Sequence, residues 1–292
     1  MDTRRLMAVL AHPDDESMAL GGTLAKYAAE GVETTVVCAT RGDAGRYGAE
    51  RGKLPPDELG RIRTRELRDA TRVLGIRDVR FLGYRDGQLD RADPDEAVRK
   101  IVEHIRRLRP QVVVTFGPDG LYGHPDHIAI SQLTTAAVAA ADDPQYVTGD
   151  LQPHSVSKLY YPAWSASTWE AYQGALKRLV MTVEGVERGA TPWPDWMITT
   201  VLDTSDHAEV AAEAVACHHS QVMVYDRFNS MPLERRADLW RRQEFYRALS
   251  TVNAGTRKEQ DFFEGLSHRA GTGECAGALD RDVEPLLQEL AA

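Results

Sequence analysis

Short apolar runs alternate with longer amphipathic stretches along the first half of the chain. Residues 6–10 are uninterruptedly apolar, 32–39 are rich in β-branched residues and end in the apolar run 36–39, and 111–116 contain three consecutive valines. Runs this short, rich in β-branched residues and bounded by turn residues, predict buried strands. Between them apolar residues recur at helical spacing. The predicted helices cover 18–29, 57–74, 94–108 and 125–141. Gly31, Gly75 and Pro110 act as stops, and Pro125 suits a first helical turn. A short strand is predicted at 79–82. The second half is less regular, with strands predicted at 156–161 and 198–202. Helices are predicted there at 168–179 and 207–217, and a charged amphipathic one at 233–249.

Strand and helix in alternation predict a Rossmann-like α/β fold, a mainly parallel sheet flanked by helices with right-handed crossovers. We expect one domain over 1–292, with a core at 1–150 and a smaller C-terminal elaboration at 151–292. In such sheets ligands bind beyond the carboxyl ends of the strands. That directs attention to the loops after the first strand and after the valine strand.

Composition narrows the class. Among 292 residues, 42% are hydrophobic and 27% charged, ordinary values for a soluble globular protein. A net charge of −9 argues against a general nucleic-acid surface. Arginines cluster at 61–72, 106–109 and 235–242, spacings that suit solvated helix faces. The three cysteines, Cys38, Cys217 and Cys275, form no CxxC pair, which fits a reduced, cytoplasmic protein. The first strand begins within about five residues of the start, leaving no room for a signal peptide. No apolar run is long enough to span a bilayer, so no membrane partner is expected.

The loop after the first strand is Ala11-His12-Pro13-Asp14-Asp15-Glu16. Charges packed at a strand end must be solvated, paired or bound to a metal. Three successive acids cannot pair with one another, so a cation is a natural counter-charge. They also suit a helix N-terminus, and alone the loop is equally compatible with a capped helix start. The loop after the valine strand ends in Tyr122-Gly123-His124-Pro125-Asp126-His127. Two His/Asp clusters on two strand-end loops can meet at one sheet edge. A catalytic zinc wants three His or carboxylate ligands and an open position for water. Bound water then becomes a nucleophile near neutral pH, and a carboxylate off the metal can serve as base. Adjacent Asp14 and Asp15 suit that division, and Asp126 could orient an imidazole through its second nitrogen.

The motifs Ala-His-Pro-Asp-Asp-Glu at 11–16 and Gly-His-Pro-Asp-His at 123–127 strongly resemble the PIG-L/LmbE-like superfamily of metal-dependent N-deacetylases. That superfamily includes the mycothiol-pathway deacetylase, the mycothiol S-conjugate amidase and N-acetylglucosaminyl deacetylases of glycopeptide antibiotic pathways. The resemblance covers about 1–140 well and the rest loosely. It implies that His12, Asp15 and His127 are the zinc ligands and Asp14 the general base. It makes His124 the oxyanion stabiliser or general acid, with Asp126 behind it, and Tyr122 a mobile tyrosine that polarises the amide carbonyl. Arg63 and Asp86 fall where the mycothiol deacetylase contacts its sugar, and Arg46 where it has an acidic residue. Glu16 is expected at the helix start or supporting a ligand. His218, in a His-x-Ser-Gln segment, is expected either near the pocket or at a helix end beside solvent. Trp164, Trp193 and Trp196 are expected either to line a sugar pocket or to pack in the C-terminal part.

The expected function is hydrolysis of the acyl group, most simply acetyl, from an N-acylated amino sugar or its glycoside, a small-molecule partner. Zinc is the expected metal, with Fe2+ or another divalent ion as substitute. Cleavage of a larger sugar-linked amide conjugate is the first alternative. A non-catalytic sugar- or metal-binding protein is another, against which the base Asp14 argues. A redox iron enzyme is a third, since two His and one carboxylate also bind non-haem iron. A homo-oligomer is compatible with the sequence.

Overall fold

The computed structural model of the chain describes residues 3–45, 47, 54–175, 180–183, 185–222, 226–252 and 257–266. Arg46, the end of the helix expected at 168–179, and Cys275 lie outside the described residues. At the centre is β1 (Arg5–Leu10), whose side chains from Leu6 on are buried. It pairs in parallel with β2 (Glu33–Thr40) on one side and β4 (Val112–Val114) on the other. Parallel strands β3 (Asp78–Tyr84) and β5 (Lys158–Pro162) extend the two flanks. The crossovers carry α1 (Asp15–Met18), α2 (Gly21–Ala29), α3 (Pro56–Val73), α4 (Pro94–Leu108), the short turn α5 (Gly120–Gly123) and α6 (Pro125–Asp142). The expected mainly parallel sheet is therefore present, and both faces are covered by helices.

The rest of the chain continues the same sheet. After α7 (Ala166–Ala175) comes a separate hairpin of β6 (Val180–Val183) and β7 (Val186–Gly189). Then follow β8 (Thr200–Asp203), α8 (Ala208–Ala216), the short helices α9 (His219–Val222), α10 (Asp226–Ser230) and α11 (Leu233–Ala237), and β9 (Arg242–Ser250). Strand β9 runs antiparallel between β5 and β8, so the sheet order is β3-β2-β1-β4-β5-β9-β8. Helix α8 packs against α2 and α3, which brings the C-terminal part over the first loop.

Three local expectations change. The helix expected at 233–249 is a short helix followed by a strand. Gln243, Glu244 and Phe245 are all buried there, and the polar pair breaks the alternation that marks a strand. Gln243 accepts from Thr23 N–H and donates to Ala19 O, while Glu244 accepts from Ser165 N–H and Thr168. The helix expected at 18–29 is two pieces broken at Ala19 and Leu20. The β6–β7 hairpin carries no strong strand pattern and was not expected.

A buried charge cluster ties β5, β8 and β9 to residues 257–266. Glu259, 1% exposed, takes Lys158 Nζ at 2.7 Å, Tyr160 OH at 2.7 Å, Thr200 Oγ1 at 2.9 Å and Arg247 Nη1 at 2.8 Å. Burial opposes ionisation, but hydrogen bonds from Lys158, Tyr160 and Thr200 hold the carboxyl below its ordinary pKa. A carboxyl lowered in the folded state stabilises above its unfolded pKa, and that contribution fades as pH falls through the folded value. Glu259→Ala strands the fully buried Lys158 and is expected to cost about 3–5 kcal/mol in urea unfolding at neutral pH. It should also flatten the loss of stability on acidification below about 4.5. An unchanged unfolding midpoint would contradict this role.

Candidate active site

Strand order reverses between β1 and β4: the chain winds outward through β2 and β3 on one side and through β5 on the other. Loops leaving two such strands diverge and open a crevice beyond their carboxyl ends. The loop at 11–14 leaves β1, and the loop at 115–124 leaves β4. The two His/Asp clusters consequently meet, with His12 Nδ1 3.2 Å from His127 Nε2.

The hydrogen bonds fix where the protons sit. His12 Nε2 lies 3.0 Å from Asp86 Oδ1 and 3.1 Å from Asp126 Oδ2, so it carries the proton and donates. Asp126 also accepts N–H from Gly87 and Leu89, which fastens it in place. His127 Nδ1 donates to Gly120 O at 3.2 Å, and Phe116 stacks on its ring at 3.9 Å. With their other nitrogens committed to these acceptors, the two imidazoles turn His12 Nδ1 and His127 Nε2 toward each other, where a metal could take them. Asp15 completes the group: Oδ1 is 3.3 Å from His127 Nε2 and Oδ2 3.8 Å from His12 Nδ1. Its Oδ2 also accepts from the N–H of Ala11 and His12. Burial opposes ionisation of Asp15, but His127 and His12 hold its pKa well below the usual range.

Two imidazole nitrogens and one carboxylate converging this closely fit a divalent cation, which would displace any proton held between them. Negative charge dominates the surroundings. Burial would lower the His12 pKa, yet hydrogen bonds to Asp126 and Asp86 and the charge of Asp15 raise it to about 10. Asp86 itself is lowered to about 2, because pairing with His12 and Arg63 outweighs its burial. His124 also lies within 4.8 Å of the ligand atoms of His12 and His127. Its Nδ1, however, accepts the Asp126 N–H at 3.1 Å, which leaves Nε2 as its available nitrogen beside the trio.

Asp14 flanks the trio. Its backbone is left-handed, with φ 113° and ψ −27°, a strained state for a residue with a Cβ. Two partners hold it there. Glu16 Oε2 accepts the Asp14 N–H at 2.9 Å, and Arg63 Nη2 sits 3.1 Å from Asp14 Oδ2. Burial is the largest influence on the Asp14 carboxyl and raises its pKa to about 6 despite Arg63. Arg63 is itself buried, donating also to Pro13 O and Gly42 O. A Cβ at Gly42 would clash with that guanidinium, which gives this glycine a packing role.

The structure brings His12, Asp14, Asp15, Asp86, His124, Asp126 and His127 together, with Tyr122 at the rim. The Tyr122 ring lies edge-on to His127 and His124, at 5.3 and 6.0 Å. One expected arrangement differs: the Asp126 carboxylate stands behind His12, and only its backbone reaches His124. The backbone turns before Pro125 so that His124 caps α6, leaving the Asp126 side chain facing β1. Arg63 and Asp86, expected at the sugar, both have protein partners in the site wall. Trp164 packs in the core on Trp169 and Tyr172, Trp193 donates to Asp119, and Trp196 is exposed. Sequence reasoning left His218 open between pocket and solvent. It is fully buried, with Nε2 2.7 Å from Glu16 Oε1. Glu66 was missed: it accepts Ser220 N–H and Oγ and fixes the segment that carries His218. A charged residue at a core-facing position of the 57–74 pattern was its only signal.

The sequence pattern of the GlcNAc-PI de-N-acetylase (PIG-L) family matches residues 7–138. A Rhodococcus jostii protein named 1D-myo-inositol 2-acetamido-2-deoxy-α-D-glucopyranoside deacetylase is 37% identical over 296 residues, spanning 92% of this chain and all of that one. The chain belongs to the PIG-L family. Solved structures share the fold. N,N'-diacetylchitobiose deacetylase from Pyrococcus horikoshii superposes with a TM-score of 0.62 at 22% identity, over 84% of each chain. GalB, a 4-carboxy-2-hydroxymuconate hydratase from Pseudomonas putida, gives 0.63 at 18% identity, over 87% of this chain and 99% of its own. The fold thus carries more than one reaction, and function must be argued from the site.

The Glu16–His218 pair is open to a direct check. Glu16→Ala leaves the buried His218 Nε2 and the Asp14 N–H without their acceptor. A loss of about 2–4 kcal/mol in urea unfolding is expected, with Glu16→Gln milder because it keeps an acceptor for Asp14. Equal stability of Glu16→Ala and the parent would refute the brace.

Proposed function

We propose that this PIG-L family member removes the acetyl group from an N-acetylated amino-sugar glycoside, using a divalent metal held by His12, Asp15 and His127. The observation that carries the reading is the convergence of His12 Nδ1, His127 Nε2 and the Asp15 carboxylate beside a further carboxylate, Asp14. The name of the Rhodococcus jostii relative, a deacetylase of an N-acetylglucosaminyl inositol, supports the substrate class. The donor set supports zinc, and ferrous iron accepts the same ligands.

When bound, a divalent cation makes a water acidic enough to supply a nucleophile at neutral pH. The chain's own residues do the rest. Asp14 takes the water proton on its carboxylate, which Arg63 orients. His124 donates from Nε2 to the oxygen of the amide as it becomes anionic, because its Nδ1 already accepts from Asp126. Tyr122 polarises the same carbonyl from the rim. The proton on Asp14 then passes to the leaving nitrogen, and the C–N bond breaks to give acetate and amine. Asp86 and Asp126 keep the His12 proton on Nε2 throughout. Sugar contacts by Arg63 and Asp86 belong to the same reading.

Release of free amine from N-acetylglucosaminyl inositol tests it. The parent is expected to turn over, to stop after chelation, and to recover with added zinc. Asp14→Asn should keep its metal and lose about 10²–10⁴ in kcat with KM little changed. Near-full activity of Asp14→Asn, or turnover indifferent to chelation, would overturn the assignment.

A further inference from the structure

Beside the candidate active site lies a cavity of about 780 Å³ lined by Arg41, Arg61, Arg65, Arg68 and Arg85. The guanidinium groups come from three elements: the end of β2, one face of α3 at spacings of four and three, and the residue after β3. Two aspartates, Asp43 and Asp57, share the lining. Asp43 already accepts the Asp86 N–H.

The chain is acidic, and several arginines elsewhere pair with carboxylates, Arg72 with Asp69, Arg80 with Asp78, Arg99 with Glu103 and Arg241 with Asp238, while Arg77, Arg91 and Arg107 stand scattered without an ion pair among the described residues. Among the described residues, none of the five cavity arginines makes an ion pair. Arg41 is nonetheless fixed, donating to Thr64 Oγ1 at 3.0 Å and lying over the Phe81 ring at 4.3 Å. All five side chains are exposed and reach water, yet gathering like charges on one wall still costs a little stability that a bound anion would relieve. The guanidinium fork matches the oxygens of a phosphoryl group, and a cavity this size admits a small phosphorylated molecule.

We propose that this cavity binds a phosphoryl group. It adjoins the reaction site on two sides. Thr64 is next to Arg63, which holds Asp14, and Arg85 is next to Asp86, which holds His12. The phosphoryl group is either carried by the aglycone of the substrate, in which case this rests on the deacetylase reading, or belongs to a free anion that binds alongside.

The test is calorimetric titration of the full, metal-loaded chain with inorganic phosphate, in the parent, in Arg65→Ala/Arg68→Ala and in Arg85→Ala. We expect saturable binding that weakens with salt and a Kd at least tenfold higher in the arginine variants. Binding should persist in His127→Ala. Equal Kd values in parent and arginine variants overturn the proposal. So does the absence of saturable binding to the parent, or binding lost only in His127→Ala, which means phosphate on the metal. Rates on N-acetylglucosaminyl glycosides with and without a phosphate on the aglycone separate the sources. A gain in kcat/KM for the phosphorylated glycoside, abolished in Arg65→Ala/Arg68→Ala, assigns the group to the substrate. An effect of added phosphate on the neutral glycoside, lost in the same variant, assigns it to a free anion. The titration needs no turnover, so its failure leaves the deacetylase reading standing, and the reverse holds equally.

Discussion

His12 donates from Nε2, where Asp86 and Asp126 both accept, and its other nitrogen is thereby turned toward His127 and Asp15. Without those two acceptors nothing would fix which His12 nitrogen faces the centre. Backbone N–H groups of Gly87 and Leu89 hold Asp126, and Asp43 and Ala44 hold the Asp86 segment. The loop after β3 is thus the outer support of a site whose proposed ligands come from the loops after β1 and β4. Parallel pairing of β1 with both β2 and β4 is what brings the three loops to one edge.

A second support reaches the site from the C-terminal part. Asp14 sits in a strained left-handed conformation, and such a state persists only where its surroundings over-determine it. Glu16 accepts its N–H, His218 pairs with Glu16, and Glu66 holds the neighbouring Ser220. The carboxylate given the role of base is therefore positioned by residues some two hundred positions apart in sequence. Packing of α8 on α2 and α3 joins the two parts.

Much of this was legible beforehand because the strongest signals are local. Buried parallel strands are continuous apolar runs, and helices α3, α4 and α6 keep clear periodicity or proline starts. The ligand trio rests on two motifs whose residue types have few other uses together. What escaped depends on tertiary context. Strand β9 hides Gln243 and Glu244 inside, where Thr23 and Ala19 satisfy the first and Ser165 and Thr168 the second. No spacing rule announces that Asp126 serves His12 across the sheet rather than His124 beside it. The arginines of α3 show the same limit. In sequence they are a solvated helix face, and only the ends of β2 and β3 turn that face into the wall of a cavity.

The central claim is that two imidazole nitrogens and one carboxylate, oriented by their partners, form a single cation site. X-ray absorption at the metal edge of the zinc-loaded chain tests it most directly. The account predicts a shell of nitrogen and oxygen at about 2.0–2.2 Å with the scattering of two imidazoles. His127→Ala should lose one imidazole from that shell, and His124→Ala should leave both. A shell with sulfur, with a single imidazole, or with an imidazole lost on removing His124 would contradict it.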